Sequence, residues 1–119
     1  MILYLTKDLM LASNVRSVAT SENIELKIVP SLEKLLEQLD AGEGDSNDVE
    51  KVLVDLQTPG LAPEKYLEMV AQCQLSSVPI VGYAQHVFVE LIDAAKSAGF
   101  SAVYTRGQMS GNVAAILKQ

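Results

Sequence analysis

Short apolar segments alternate along the chain with segments in which apolar residues recur every three or four positions. The first pattern is typical of buried strands and the second of amphipathic helices. The predicted strands are residues 2–5, 24–29, 51–56, 78–83 and 101–105. The predicted helical faces are Leu11, Val15, Val18 and Ala19; Leu32, Leu35, Leu36 and Leu39; Tyr66, Met69, Val70 and Cys73; Phe88, Leu91, Ile92 and Ala95; and, within residues 110–117, Val113, Ile116 and Leu117.

Five strands and five helices in strict alternation predict a parallel sheet with right-handed crossovers and helices on both faces. At this length we expect one domain, residues 1–119, with a flavodoxin-like three-layer fold and strand order 2-1-3-4-5. Ser31 suits the start of the second helix, Pro63 the first turn of the third, and Gly99 the end of the fourth. Residues 41–48 are acidic and rich in glycine, which predicts a solvated loop.

The charge balance argues against a nucleic-acid binder. Nine Lys and Arg against fifteen Asp and Glu give a net charge of −6, the basic residues are scattered, and tryptophan is absent. No apolar run approaches the ~20 residues of a membrane span, and no signal peptide is recognisable, so we expect no membrane association and a cytoplasmic location. The one cysteine, Cys73, falls on a helical core position and predicts a buried, inert thiol.

Asp55 lies at the carboxyl end of a predicted buried strand, within Val52-Leu53-Val54-Asp55-Leu56. In open α/β sheets the carboxyl edge of the strands is where ligands bind. Such a carboxylate is either a working group or a residue tied to the next loop by hydrogen bonds. The loops at residues 6–8, 55–60, 84–86 and 106–107 converge on the same predicted edge.

Several chemistries lack their motifs. Neither G-x-G-x-x-G nor G-x-x-x-x-G-K-[ST] follows the first strand, so a nucleotide-binding loop is unsupported. No G-x-S-x-G turn supplies a hydrolase nucleophile. His86 is the sole histidine, which excludes a histidine zinc cluster and predicts a surface residue.

Three segments together resemble the receiver domain of response regulators, and the resemblance extends over essentially the whole chain. VLVDLQTPGL is similar to the phosphoacceptor strand and its turn, with Asp55 on the phosphorylated aspartate and Pro59-Gly60 on the usual Pro-Gly. PIVGYAQH resembles the strand that ends in the switch threonine or serine. AGFSAVYTRG resembles the segment that carries the phosphate-binding lysine.

The resemblance also shows where this chain departs from the family. Receivers place two acidic residues directly after the first strand, and Thr6 and Lys7 stand there, with Asp8 one residue later. The switch hydroxyl falls on Ala84 and the phosphate-binding lysine on Arg106. If Mg²⁺ were bound, the resemblance implies Asp8 and Asp55 as its acidic ligands. We hypothesise that the Lys7 ammonium replaces the metal and pairs with Asp55.

The favoured interpretation is a non-enzymatic pseudo-receiver that regulates a protein partner by contact, without a cofactor and without efficient phosphorylation. The partner would be a histidine kinase, an output protein or a second copy of the chain, bound through helix 4, strand 5 and helix 5. The alternative is a single-domain response regulator, phosphorylated on Asp55 by a histidine kinase with Mg²⁺. A small-ligand binder on the same scaffold is the third interpretation, although no flavin phosphate loop follows the first strand.

Overall fold

The computed structural model describes residues 1–40 and 49–119, with the backbone alone described for Asp40. The predicted acidic loop at residues 41–48 lies outside the described residues. Within the described part of the chain no helix is long and apolar enough to cross a membrane.

Five parallel strands form one sheet in the order β2-β1-β3-β4-β5. The strands are β1 (Ile2–Leu5), β2 (Leu26–Val29), β3 (Lys51–Asp55), β4 (Ile80–Ala84) and β5 (Ala102–Thr105). Every residue of β1, β3 and β4 is buried, as expected for inner strands covered on both faces. The predicted strand order is confirmed, including β2 at an edge, where its side chains are less enclosed.

Helices cover both faces of the sheet. They are α1 (Leu9–Ser21), α2 (Leu32–Asp40), α3 (Tyr66–Leu75, preceded by a 3₁₀ turn at Pro63–Lys65), α4 (Val89–Ala98), α5 (Arg106–Gly111) and α6 (Val113–Lys118). Core residues of α2, α3 and α4 pack together on one face, and core residues of α1, α5 and α6 pack on the other. The three-layer α/β architecture is therefore as predicted.

Most local signals act as expected. Ser31 accepts a hydrogen bond from the backbone N–H of Lys34, and Gly99 ends α4 in the left-handed region at φ +102°. Burial raises the pKa of the Cys73 thiol to about 11, so this cysteine is protonated and inert at neutral pH.

The predicted last helix is wrong in its bounds. Instead of one helix over residues 110–117, α5 begins directly after β5 at Arg106, and Asn112 separates it from α6. Thr105 and Gln108 form a capping box that starts α5: each side chain accepts a hydrogen bond from the other residue's backbone N–H. Asn112 has non-helical dihedral angles, which end the first helix.

Candidate functional site

Asp55 lies at the carboxyl end of β3, with 5% of its surface exposed. Its Oδ2 accepts a hydrogen bond from the Thr6 hydroxyl at 2.8 Å, and its Oδ1 accepts one from the backbone N–H of Gln57 at 3.0 Å. Behind it, the Thr58 hydroxyl donates to the Asp55 carbonyl oxygen at 2.7 Å. Both carboxylate oxygens therefore have partners, one on β1 and one in the loop that follows β3.

Burial raises the pKa of the Asp55 carboxyl group above its usual range. The hydrogen bonds from Thr6 and Gln57 oppose this rise because they stabilise the charged form, whereas the negative charge of Asp8 adds to it. A buried acid of this kind at the carboxyl edge of a parallel sheet is typical of a functional position.

Thr6 and Lys7 follow β1 and point in different directions. Thr6 is buried beside Asp55, and its oxygen also accepts the backbone N–H of Asp8 at 3.0 Å. Lys7 is exposed and lines a shallow groove with Ser31 and the turn at Gly60. In the described residues Lys7 forms no ion pair, so the hypothesis of a Lys7–Asp55 pair is wrong. Side chains alternate in direction along the extended chain that continues β1, and it is Thr6, not Lys7, that faces Asp55.

The cation at this edge is Arg106, and its partner is Asp8. Nη2 of Arg106 lies 2.5 Å from Oδ2 of Asp8, and both side chains are partly exposed. The hydrogen bond from Arg106 holds the pKa of Asp8 below its usual range, and the same contact raises the pKa of Arg106. The other oxygen of Asp8, Oδ1, caps α1 by accepting the backbone N–H groups of Met10 and Leu11 at 3.1 and 3.2 Å.

Ala84 ends β4, fully buried, one residue beyond Tyr83, which is the cross-strand partner of Asp55. It offers only a methyl group where the resemblance places a switch hydroxyl. The loops beyond β3 and β4 are instead joined by Gln57, whose Oε1 accepts the backbone N–H of Gln85 at 2.7 Å. This side-chain bridge was not predicted from the sequence.

The residues present do not fit a Mg²⁺ ion. Mg²⁺ requires hard oxygen ligands in near-octahedral geometry. The four carboxylate oxygens of Asp8 and Asp55 are all engaged, by the α1 cap, Arg106, Thr6 and the Gln57 amide. Nor does any group of three or more His, Cys, Asp or Glu that could hold a metal occur within residues 1–40 and 49–119.

A pair of buried tyrosines lies on the same face of the sheet as Asp55. The hydroxyl oxygens of Tyr4 and Tyr83 are 2.5 Å apart, and at most 1% of either residue is exposed. Burial raises the pKa of Tyr4 to about 12 and that of Tyr83 further, so both phenols stay protonated. Sequence reasoning missed Tyr4, although a tyrosine inside an otherwise aliphatic inner strand was a usable signal, because a buried phenol needs a partner.

An apolar surface lies beside this edge, at the start of α4. Val87, Phe88 and Val89 are 66%, 41% and 57% exposed and line a shallow cavity. His86 is exposed, as predicted, and lines a second cavity together with Val87 and Arg106. Arg106 thus contacts both Asp8, at the carboxyl edge of the sheet, and the cavity beside the start of α4.

Comparison with known proteins identifies the fold. No family model matches the sequence, and no curated protein matches it significantly. Among solved structures, the receiver domain of NtrX from Brucella abortus aligns with a TM-score of 0.78 and 14% identity, covering 99% of this chain and 95% of that one. The chemotaxis response regulator CheY4 of Vibrio cholerae aligns at 0.75 and 14% identity, covering 98% and 94%.

The phosphorylated cyanobacterial phytochrome response regulator RcpA aligns with a TM-score of 0.77 and 16% identity, covering 98% of this chain and 91% of that one. At such identities the likeness shows the fold alone. The chain has the fold of response-regulator receiver domains, over nearly its whole length and nearly theirs.

Proposed function

We propose that this chain is a receiver-like signalling module that regulates a protein partner by contact, without efficient phosphorylation and without Mg²⁺. It acts as an interaction domain and not as an enzyme, and its proposed setting is the cytoplasm. The observation that carries the proposal is the ion pair between Arg106 and Asp8, which occupies the acidic residue whose charge acts on Asp55.

Phosphoryl transfer to a carboxylate depends on positioning and on neutralising the charge that develops on the transferred group. Here Asp8 is engaged by Arg106 and by the α1 cap, and Asp55 by Thr6 and the Gln57 amide. Ala84 supplies no hydroxyl. Removing one preorganised partner typically costs about 3–4 kcal/mol of transition-state stabilisation, so the loss of several makes phosphorylation of Asp55 very slow.

One observation favours the alternative, a response regulator phosphorylated on Asp55 by a histidine kinase. Asp55 stands at the carboxyl end of the central strand, and its carboxyl group is more basic than that of an exposed aspartate. In this alternative the ion pair between Arg106 and Asp8 would open and Asp8 would serve as a metal ligand.

For the partner, the proposal points to the surface built by α4, β5 and α5. Val87, Phe88 and Val89 expose apolar side chains there, and apolar surface next to polar groups is typical of protein contacts. A kinase, an output protein or a second copy of the chain would meet this requirement. The net charge of −6 disfavours nucleic acid.

The deciding experiment is an amide NMR titration of the whole chain with beryllofluoride and Mg²⁺, which together mimic an aspartyl phosphate. The proposal expects no saturable shifts at Asp55, Ala84 and Tyr104 at millimolar Mg²⁺. Shifts centred on Asp55 would establish the alternative. A matched variant with Thr6→Asp, Lys7→Asp and Ala84→Thr supplies the missing groups and serves as the positive control for the titration.

A further inference from the structure

The groove that Lys7 lines, called the Lys7 groove below, lies at the carboxyl edge of the sheet, where the loops after β1, β2 and β3 meet. Because β1 has β2 on one side and β3 on the other, the chain reverses its winding direction here, and such crevices are the usual ligand sites of open α/β sheets. The groove holds about 220 Å³, less than the roughly 300–1,000 Å³ of pockets for drug-sized ligands, so its occupant is small. Its lining includes Lys7, Ser31, Glu33, Thr58, Gly60 and Lys65.

Two ammonium groups at the Lys7 groove are available to an anion. Lys7 is exposed and forms no ion pair with any residue that the structure describes. Lys65 pairs with Glu68 at 3.8 Å, but both side chains are more than half exposed, and solvated pairs of this kind are weak. In a chain of net charge −6, two cations beside one small groove form a local positive field that attracts an anion.

Uncharged hydrogen-bond donors lie at the same groove. The Ser31 oxygen accepts the backbone N–H of Lys34 at 3.3 Å, and the hydroxyl proton of Ser31 has no acceptor among the described residues. The first N–H groups of a helix have no intrahelical partner, and Ser31 satisfies only that of Lys34. The backbone N–H of Gly60 also has no partner in the part of the chain that the structure describes. An oxyanion, which only accepts hydrogen bonds, is the ligand that suits these donors.

One wall of the groove, the turn after β3, is held by its own hydrogen bonds. The hydroxyl and the backbone N–H of Thr58 both donate to the Asp55 carbonyl oxygen, at 2.7 and 3.0 Å, and the Leu61 N–H donates to the Thr58 carbonyl oxygen at 3.1 Å. Gly60 has φ +86°, and a Cβ atom placed on it would meet nothing within 4 Å, so a ligand can approach its backbone. The wall is therefore preformed, and binding does not require the loop to be ordered first.

We propose that the Lys7 groove binds the phosphate group of a small molecule, with Lys7 and Lys65 as its cations and with Ser31 and the Gly60 N–H as further donors. A phosphate group carries a charge of about −1.5 to −2 at neutral pH and so matches two cations better than a carboxylate does. Lysine binds phosphate as a point charge and needs no fixed fork of donors. Glu33 lines the same groove, and its negative charge opposes binding. The site goes beyond the proposed function, since it requires neither Asp55 nor a protein partner.

The test is an amide NMR titration of the whole chain with inorganic phosphate and, separately, with glycerol 3-phosphate, at an ionic strength held constant with chloride. We expect saturable shifts at residues 7, 31–33, 60 and 61. Tighter binding of the ester would identify the ligand as an organic phosphate, and equal or tighter binding of inorganic phosphate would identify it as free phosphate. Shifts that grow without saturating, that chloride alone reproduces, or that centre on Ala84 and Arg106 would overturn the inference.

Charge variants show whether the groove itself binds the phosphate. Lys7→Gln should raise the dissociation constant about tenfold or more, and Lys65→Gln should raise it in the same direction. Glu33→Gln should lower it, because a repelling charge is removed. The matched control is Lys96→Gln, which removes an exposed cation from the last turn of α4 and should change the constant by less than about twofold.

The substituted side chains are all exposed, so the variants should keep the fold, and their amide spectra away from the groove verify this. Equal weakening by Lys7→Gln and Lys96→Gln would reveal only a general attraction between charges and would overturn the inference. Neither beryllofluoride nor Mg²⁺ enters the titration. The inference and the proposed function can therefore fail independently.

Discussion

Arg106 and Asp8 close the carboxyl edge of the sheet through a contact of 2.5 Å between Nη2 and Oδ2. They follow β5 and β1, two strands that are separated in the sheet by β3 and β4. The pair consequently spans the ends of both intervening strands, including the end that carries Asp55. A charged bridge of this kind favours one arrangement of the loops and keeps the acidic side chain of Asp8 away from other cations.

Removing the guanidinium should release Asp8. Arg106 is the largest cause of the lowered pKa of Asp8, so we expect Arg106→Ala to raise that pKa towards its ordinary value. The measurement is a carboxyl ¹³C NMR titration of Asp8. Arg106→Lys keeps the charge but loses the planar fork of donors, and an intermediate pKa is expected. An unchanged pKa in Arg106→Ala would show that the helix cap alone sets it.

The same ion pair predicts a pH dependence of stability. The folded-state pKa of Asp8 is lowered, so the pair stabilises the fold above the unfolded-state pKa of about 3.9 and loses this effect as the pH falls through the lower folded value. Asp8→Asn, which retains a capping side chain, should cost at most about 1 kcal/mol at pH 7 and nothing in strong acid.

Urea unfolding of wild type and Asp8→Asn at neutral and at acidic pH measures this difference. Asp8→Ala is the matched variant that also loses the cap, which should cost a further 0.5–2 kcal/mol, roughly, at both pH values. A difference between wild type and Asp8→Asn that stays constant across the pH range would contradict the assignment to the ion pair.

Loss of the hydroxyl group should change the stability of the fold in opposite directions at two buried tyrosines. Among the described residues the Tyr66 hydroxyl is buried without a hydrogen-bond partner, so Tyr66→Phe should stabilise the fold by about 1 kcal/mol or more. Tyr83→Phe leaves the Tyr4 hydroxyl without its partner and should cost about 1–3 kcal/mol. Denaturant unfolding at neutral pH measures both, with the partly exposed Tyr104→Phe as control. Changes of equal sign for Tyr66 and Tyr83 would refute the distinction.

Lys51 should hold the last helix in place. Its ammonium group is buried and donates to the carbonyl oxygens of Ile116, Gln119 and Leu117 at 2.6, 3.1 and 3.4 Å. Lys51→Met should therefore lower the amide-exchange protection of α6 and cost about 1.5–3 kcal/mol of stability. Lys118→Met, which removes a more exposed amine paired with Glu22, should cost less than about 1 kcal/mol. Equal losses in the two variants would rule out a special role for the buried amine.

The fold could be predicted because its signals are local and repeated. Five apolar segments alternating with helical faces specify a parallel sheet, and Gly99 and Ser31 mark helix ends by mechanisms that require no tertiary information. The division of the last helix was also readable, since Thr105 and Gln108 have the spacing of a capping box. The prediction missed this division because it relied on the apolar face of residues 113–117 alone.

The sequence predicted where the site lies but not which of its charged side chains pair with one another. Topology alone brings Asp8, Asp55 and Arg106 to one edge, but which acid takes the cation depends on side-chain direction over a few ångströms. Lys7 stood next to Asp55 in the prediction and faces solvent in the structure, because Thr6 occupies the inward position. The Tyr4–Tyr83 contact joins two strands far apart in the sequence, so no single segment of the sequence predicts it.

Lys51 also determines where a mechanical load would enter the molecule. A pull applied at Gln119 acts on the end of α6, and three hydrogen bonds connect that end directly to the first residue of β3. The tension would bypass β5, the edge strand that precedes α5 and α6 in the chain, and would first reach β3, the central strand of the sheet. Resistance to stretching from this end would then include the three hydrogen bonds of one amine, in addition to the core packing of α6.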